Sequence, residues 1–374
     1  MLKSLIRQYG VNNLRIVVND IAASKTGALS ILMDFYHYIL EYDTENEWIF
    51  LLGDSYIEET ANIKVKILSN VKKSWVNRLK FDLFSGTAYI KALCPDVVFS
   101  LQNTLTCGYK GKQVLYVHQP LGFQTAKKFS FFKQREREYA IYQYGIGKLI
   151  NHSVRKADKV IVQTEWMKEA VAIKTGVSID KIIKILPDTE NLSHYKHAEL
   201  QQVNQFFFPS GVMIYKNHEC IMRACEILNQ KGITDFNVLF TLDSTDSVTP
   251  YHYSNKYENI LCSGRLTKEE VMNYYNRRVL IFPSYIETFG YPPAEARQLG
   301  AMILASDCPF CHEVLEGYRN AYYFDPFNPE ELADLMEKSI KGELKIESDD
   351  SNRNVADYNS WAKVLQVILE NSKV

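Results

Sequence analysis

The sequence predicts an α/β protein of two doubly wound parallel-sheet domains, on three observations. At 374 residues the chain is too long for one ordinary core. Short continuous apolar runs alternate with helix-period stretches, as parallel strands covered by helices on both faces require. That alternation lapses once, over Pro187 to Gln205, a polar stretch without period that carries Asp188, Asn191, Ser193 and Asn204, and it restarts at Phe206. The expected division is a first domain over residues 1–187, a linker over 188–205, a second domain over 206–357 and a terminal helix over 358–374.

In the first half, Leu14 to Val18 is the first apolar strand. The turn Asn19 to Lys25 then leads through Gly27 into a helix from about Ala28 to Leu40. A glycine here either lets the backbone approach a ligand closely or relieves a tight turn. Trp48 to Leu52, Lys64 to Leu68, Val97 to Leu101, Val114 to Val117 and Val160 to Gln163 read as further strands. Arg78 to Ala92 and Glu165 to Lys174 read as helices, the second closed by Gly176.

In the second half, the strand at Phe206 runs into GVMIYKNH, and a helix follows over Glu219 to Gln230. Strands at Asn237 to Leu242 and Asn259 to Cys262 precede a helix over Lys268 to Arg277. The strand Val279 to Phe282 is closed by Pro283 and Ser284, and the loop Tyr285 to Gly290 leads into a helix over Ala294 to Leu299. Pro292 and Pro293 stand where a helix can begin, Gly300 where it can end, and Met302 to Ala305 is the next strand. Helices over Glu330 to Ile340 and Trp361 to Leu369 flank a polar loop, Lys341 to Arg353.

Ligands of open parallel sheets bind beyond the carboxyl ends of the strands, where helix N-termini favour anions. Two carboxylates in such a place, Glu287 and Glu295, need a reason. Accepting hydrogen bonds from paired hydroxyls of a sugar or ribose is one, worth about 1.5–3 kcal/mol per charge-assisted bond; helix capping by Glu287 and a solvated Glu295 are the plain alternatives. Lys216, after one strand and before a helix, is placed to meet phosphate oxygens or to be a surface lysine. His118, ending the strand of VLYVHQP, is either functional or a satisfied structural histidine.

Taken together, Pro283 to Ala296 resemble the P-S-x-x-E-T-F-G-x-P-x-x-E-A setting of retaining glycosyltransferases of the GT-B fold, family 4, with seven residues between Glu287 and Glu295. ASDCPFCHEVL and YYFDPFNPEELADLM are similar to that family's S-D-x-P-x-x-x-E-V and F-D-P-x-x-x-x-x-L segments. The resemblance implies two Rossmann-like domains facing a central cleft, with the last helix crossing back to the first domain. It implies catalytic parts for Glu287, His118 and Lys216: Lys216 against the diphosphate, Glu287 on the donor-sugar hydroxyls, and His118 facing the donor. Donor binding further includes the backbone of Phe289, Gly290 and Tyr291, Glu295 on the ribose, Arg265 near the base and Gly27 at the first crossover. No metal and no cofactor are implied beyond the nucleotide-sugar co-substrate. The chain departs from the family's G-R-x-x-x-K-N segment, because Val212 stands where an arginine is customary.

Composition bounds the partners. The net charge of -1, from 43 basic and 44 acidic residues, argues against nucleic acid. The first residues lack a secretory pattern, and no apolar run approaches ~18 residues, so a cytoplasmic protein is expected. Seven scattered cysteines fit a reducing compartment. C-P-F-C-H at Cys308 to His312 matches haem-attachment and redox spacings, but its sequence context supports neither, and no second ligand pair makes a zinc site. Lys127 to Arg137, KKFSFFKQRER, interleaves cations with Phe129, Phe131 and Phe132. It reads as an anionic-membrane patch at the inner face of the plasma membrane or as a solvated helix with its phenylalanines turned inward.

The function expected is retaining transfer of a hexose-type sugar from a nucleoside-diphosphate sugar to a glycan acceptor, a lipid-linked precursor of O-antigen or capsule. A GT-B nucleotide-sugar epimerase and a non-catalytic sugar-nucleotide-binding subunit are the rivals.

Overall fold

The computed structural model describes residues 13–23, 27–196, 201–243, 257–347 and 359–372. The end of the Asn19 to Lys25 turn, residues 197–200 of the expected linker and the Lys341 to Arg353 loop beyond Glu347 lie outside those residues. Two compact units divide the chain: unit 1 is Met1–Gln124, Glu138–Asp188 and Tyr358–Val374, and unit 2 is Thr125–Arg137 and Thr189–Asp357.

Unit 1 holds β1 (Arg15–Asp20), β2 (Glu47–Leu52), β3 (Ile63–Ile67), β4 (Val97–Ser100), β5 (Lys112–Val117), β6 (Lys159–Val162) and β7 (Ile182–Lys184), in the order β3-β2-β1-β4-β5-β6-β7. Every pairing is parallel. Ile16, Val18, Phe50 and Phe99 pack against helix Gly27–Tyr42 on one face, while Val17, Ile49 and Val98 meet Phe81 and Ile90 on the other. That two-sided burial is why these strands read as unbroken apolar runs. The last helix, Ser360–Asn371, buries Val364, Leu365 and Ile368 in the first of these clusters. Asp188 caps it, accepting from the N–H groups of Asn359 at 3.2 Å and Ser360 at 3.0 Å.

Three sequence expectations need correction here. β1 runs two residues past its apolar stretch, since Asn19 and Asp20 stay in register with Leu51 and Leu52. The helix expected over Arg78 to Ala92 starts earlier and changes winding: α-helix Trp75–Lys80, a π-turn Phe81–Ser85, then α-helix Gly86–Ala92. Gly86 is required there, because a Cβ would lie 2.7 Å from the Phe81 carbonyl. β7, three residues long, is too short for a periodic signal.

Unit 2 holds β8 (Gln202–Phe208), β9 (Asn237–Phe240), β10 (Ile260–Cys262), β11 (Arg278–Phe282), β12 (Ile303–Ser306) and β13 (Ala321–Phe324), in the order β10-β9-β8-β11-β12-β13, again all parallel. β8 starts four residues before Phe206. Much of the expected linker is packed into this unit: Leu192 is buried and donates its N–H to Gln298 at 3.2 Å, and the Tyr195 carbonyl accepts from Asn276 at 2.8 Å. Thr125–Arg137, expected in the first domain, groups with unit 2, where the Lys127 ammonium lies 3.3 Å from Glu136 and 5.9 Å from the centre of the Tyr285 ring.

Candidate active site

In each sheet the strand order reverses at one point, between β1 and β4 in unit 1 and between β8 and β11 in unit 2. Loops leaving the two strands at such a point diverge and leave a crevice, which is where open α/β sheets bind ligands.

In unit 2 the loop after β8 ends in the 3₁₀ turn Ile214–Lys216, and the loop after β11 carries Glu287. Asn217 fixes the junction in a left-handed conformation (φ 62°), donating to the carbonyls of Pro283 at 3.2 Å and Pro326 at 2.7 Å. The Tyr285 N–H donates to the Tyr215 carbonyl at 3.1 Å, so the two loops are stitched by backbone as well. The consequence is a direct ion pair: Lys216 Nζ lies 2.5 Å from Glu287 Oε1, with only 13 % and 16 % of the side chains exposed. Lys216 and Glu287, separately predicted to face a diphosphate and a sugar, are partners of each other.

Gly290 (φ 94°) precedes the helix Tyr291–Gln298, a conformation an L side chain rarely adopts. Pro292 and Pro293 supply no N–H, so the donors this helix end can offer are those of Gly290 and Tyr291. Phe289 is buried and Tyr291 is exposed. Glu295, on the same helix, accepts from the Tyr275 hydroxyl at 3.2 Å. Burial pushes its carboxyl up to about 7, against the smaller stabilising effect of that hydrogen bond. Arg265 is exposed in the loop after β10, and Val212 is likewise exposed. Arg223, a conceivable substitute for the customary arginine, is held by Glu219 at 2.6 Å.

His218 was not singled out by sequence reasoning. It follows Asn217, is buried, and sits 3.1 Å from the Ser210 hydroxyl; burial, then the nearby Lys216 charge, lowers its pKa to about 4, so it is neutral. The run K-N-H was the signal available.

His118 belongs to unit 1. Its Nε2 lies 2.8 Å from the Leu101 carbonyl, which only accepts, and 3.1 Å from the Asn103 amide nitrogen, which only donates, so the two contacts call for opposite tautomers, while Asn103 Oδ1 accepts from the His118 backbone N–H at 2.7 Å. Burial lowers its pKa. Gly27 opens helix Gly27–Tyr42 at the surface, where a Cβ would meet no protein atom within 4 Å. Cys308 and Cys311 are buried free thiols whose pKa values burial raises, the first to about 11, which disfavours thiolate chemistry. The Lys127 to Arg137 segment buries Phe129 and leaves Phe132 96 % exposed, while Lys127 and Lys133 both approach Glu136. No described helix is long and apolar enough to cross a membrane.

Solved structures with this fold cover nearly the whole chain. Anabaena HepE in complex with UDP superposes with a TM-score of 0.64 at 14% identity over 96% of this chain and 100% of that one. The lipopolysaccharide outer core galactosyltransferase WaaB does so with a TM-score of 0.64 at 15% identity over 95% and 99%. The chain thus has the two-domain GT-B fold. Residues 190–358 match the family model described as Glycosyl transferases group 1. Among curated proteins, the serotype-specific mannosyltransferase WbdA of Escherichia coli is 33% identical over 148 residues, 39% of this chain and 15% of WbdA. The O-antigen chain mannosyltransferase RfbU of Salmonella typhimurium is 24% identical over 191 residues, 48% and 50% of the two chains. The matches span half or less of these relatives' lengths.

Proposed function

We propose that the chain is a retaining glycosyltransferase that moves a hexose from a nucleoside-diphosphate sugar to a glycan acceptor, a lipid-linked precursor of a surface polysaccharide. The observation that carries the reading is the Lys216–Glu287 pair at the switch point of unit 2. An ammonium and a carboxylate held side by side suit a ligand whose adjoining parts are a diphosphate and a ring of hydroxyls. Donor binding exchanges one ion pair for two ligand contacts: Lys216 turns to the phosphate oxygens, and Glu287 accepts from the sugar hydroxyls. As the bond to the anomeric carbon breaks, negative charge grows on the departing diphosphate, and Lys216 stabilises it more than it stabilises the ground state. Glu295 accepts from the ribose, with Tyr275 orienting its carboxyl. His118 presents Nδ1 to a hydroxyl. The diphosphate charge is carried by side chain and backbone without a divalent ion, so chelator leaves the rate unchanged.

The mannosyltransferase names of WbdA and RfbU and the UDP bound to HepE make GDP-mannose and UDP-hexoses the first donors to test. Transfer to lipid-linked oligosaccharide, with the product anomer read by NMR, tests the reading. Glycan-dependent nucleotide release with retained configuration is expected. Turnover of donor without any acceptor into an epimer contradicts it.

A further inference from the structure

The carboxyl ends of the unit 2 strands are poor in positive charge for a place that binds an anion. Among the described residues, the loops after β8, β11, β12 and β13 carry Lys216 against Glu287, Asp307 and Asp325, and Lys216 is already paired with Glu287 at 2.5 Å. Arg265 follows β10, two strands along from β8 and so roughly 10 Å away at ~4.8 Å per strand. We propose that Lys127, carried into unit 2 by the segment Thr125–Arg137, is a second cation of this site and closes on the phosphate oxygens of the bound nucleotide. The identity of that ligand rests on the glycosyltransferase reading; the shortage of positive charge rests on the loops alone.

The segment groups with unit 2, and its contacts place Lys127 beside the site's own framework. Lys127 Nζ lies 5.9 Å from the centre of the Tyr285 ring and 5.6 Å from that of the buried Phe129. Tyr285 stands two residues before Glu287; its N–H donates to the Tyr215 carbonyl at 3.1 Å and its hydroxyl to the Ile214 carbonyl at 3.5 Å. One aromatic ring therefore stands between Lys127 and the 3₁₀ turn that ends in Lys216. At about 6 Å the attraction of a cation to a ring face is near its outer limit, so Tyr285 orients the ammonium without fixing it.

What releases Lys127 is the way Glu136 is held. Glu136 Oε1 is shared by Lys127 at 3.3 Å and Lys133 at 3.5 Å, and Oε2 accepts from the Ser130 N–H at 3.0 Å. A buried carboxylate left without partners is costly. Glu136, with 7 % of its side chain exposed, keeps Lys133 and Ser130 when Lys127 swings away, so the exchange abandons no charge. A flexible four-carbon stem ending in three rotatable donors suits Lys127 to that exchange. Its charge then adds to that of Lys216 against the negative charge growing on the departing diphosphate.

The test titrates UDP, GDP, uridine and guanosine calorimetrically into the full chain and into Lys127→Gln, Lys127→Arg, Lys133→Gln and Lys216→Ala. The diphosphate that binds the wild type should lose about fivefold or more in affinity in Lys127→Gln, while its nucleoside binds both proteins within about twofold. Lys127→Arg should recover most of the loss, and Lys133→Gln, which removes the other lysine on Glu136, should leave the diphosphate within about twofold of the wild type. Lys127→Met, which keeps the apolar stem, replaces Lys127→Gln if that variant does not fold. Equal losses for diphosphate and nucleoside, an equal loss in Lys133→Gln, or a loss in Lys127→Arg as large as in Lys127→Gln assigns Lys127 a structural part and overturns the proposal. A diphosphate that depends on Lys216 and not on Lys127 also overturns it and leaves the glycosyltransferase reading standing, whereas failure of both diphosphates to bind the wild type overturns the two together.

Discussion

The two switch points solve the problem of semi-buried charge in opposite ways. In unit 2, Lys216 and Glu287 satisfy each other at 2.5 Å. In unit 1, Asp20 and Asp82 are buried, while the Arg78 guanidinium donates to the Gln102 carbonyl at 3.4 Å and stands 5.4 Å from the centre of the Trp75 ring. A closed pair tolerates the empty state, since neither charge is left alone, but a ligand must displace it. An open set is ready to bind and leaves its charges poorly compensated meanwhile. Unit 2 is accordingly suited to a strongly charged ligand able to compete for Lys216.

The largest effect expected is at Lys216. With Val212 replacing the customary arginine and Arg223 held by Glu219, it stands without the usual second cation, so Lys216→Ala should lower transfer at saturating donor by at least a hundred- to a thousandfold, about 2.7–4 kcal/mol. A loss under about tenfold, roughly 1.4 kcal/mol, means that another group holds the diphosphate. Next comes Glu287→Ala: the loop fold should survive, and transfer should fall by roughly a hundredfold, mostly in kcat, because the sugar grip tightens in the transition state. Full activity in the folded variant contradicts the assignment.

Glu295 sharpens the contrast through pH. Its carboxyl sits at about 7 when folded, above its ordinary value of 4.5, so the folded state binds the proton more tightly. The stability this gives is present below the unfolded value and is lost as pH rises through about 7. Glu295→Gln should therefore melt several degrees above the wild type at pH 8 and close to it at pH 4.5. Equal melting at both pH values shows that burial does not strain this carboxylate. The smallest effect concerns Lys127 to Arg137: co-sedimentation with anionic vesicles should be modest and vanish as salt rises, since Lys127 and Lys133 are already engaged by Glu136. Equal binding to neutral vesicles rejects an electrostatic patch.

What the sequence made legible follows from the physics of each signal. Both parallel sheets could be read because strands such as Val279 to Phe282 are buried on both faces and carry no polar interruption. The region around Glu287 and Glu295 could be read from motif density. The Lys216–Glu287 contact could not, since it joins loops 71 residues apart and depends on the Asn217 clamp. The buried charges of unit 1 escaped for a related reason. Asp20 stands just past the apolar run of β1, and Arg78 and Asp82 look like ordinary polar helix residues until the π-turn and the strand order bring them together. Packing of residues 189–196 into unit 2 was hidden by their polarity, because Leu192 supplies the buried apolar anchor.

The most direct test is calorimetric titration of UDP, GDP, CDP and the corresponding nucleosides into the wild type and Lys216→Ala. One diphosphate should bind the wild type and lose at least tenfold in affinity in the variant, about 1.4 kcal/mol, while its nucleoside binds both proteins equally. Failure of every diphosphate to bind the wild type, or binding to Lys216→Ala within twofold of it, contradicts the placing of a nucleoside-diphosphate sugar at the switch point of unit 2.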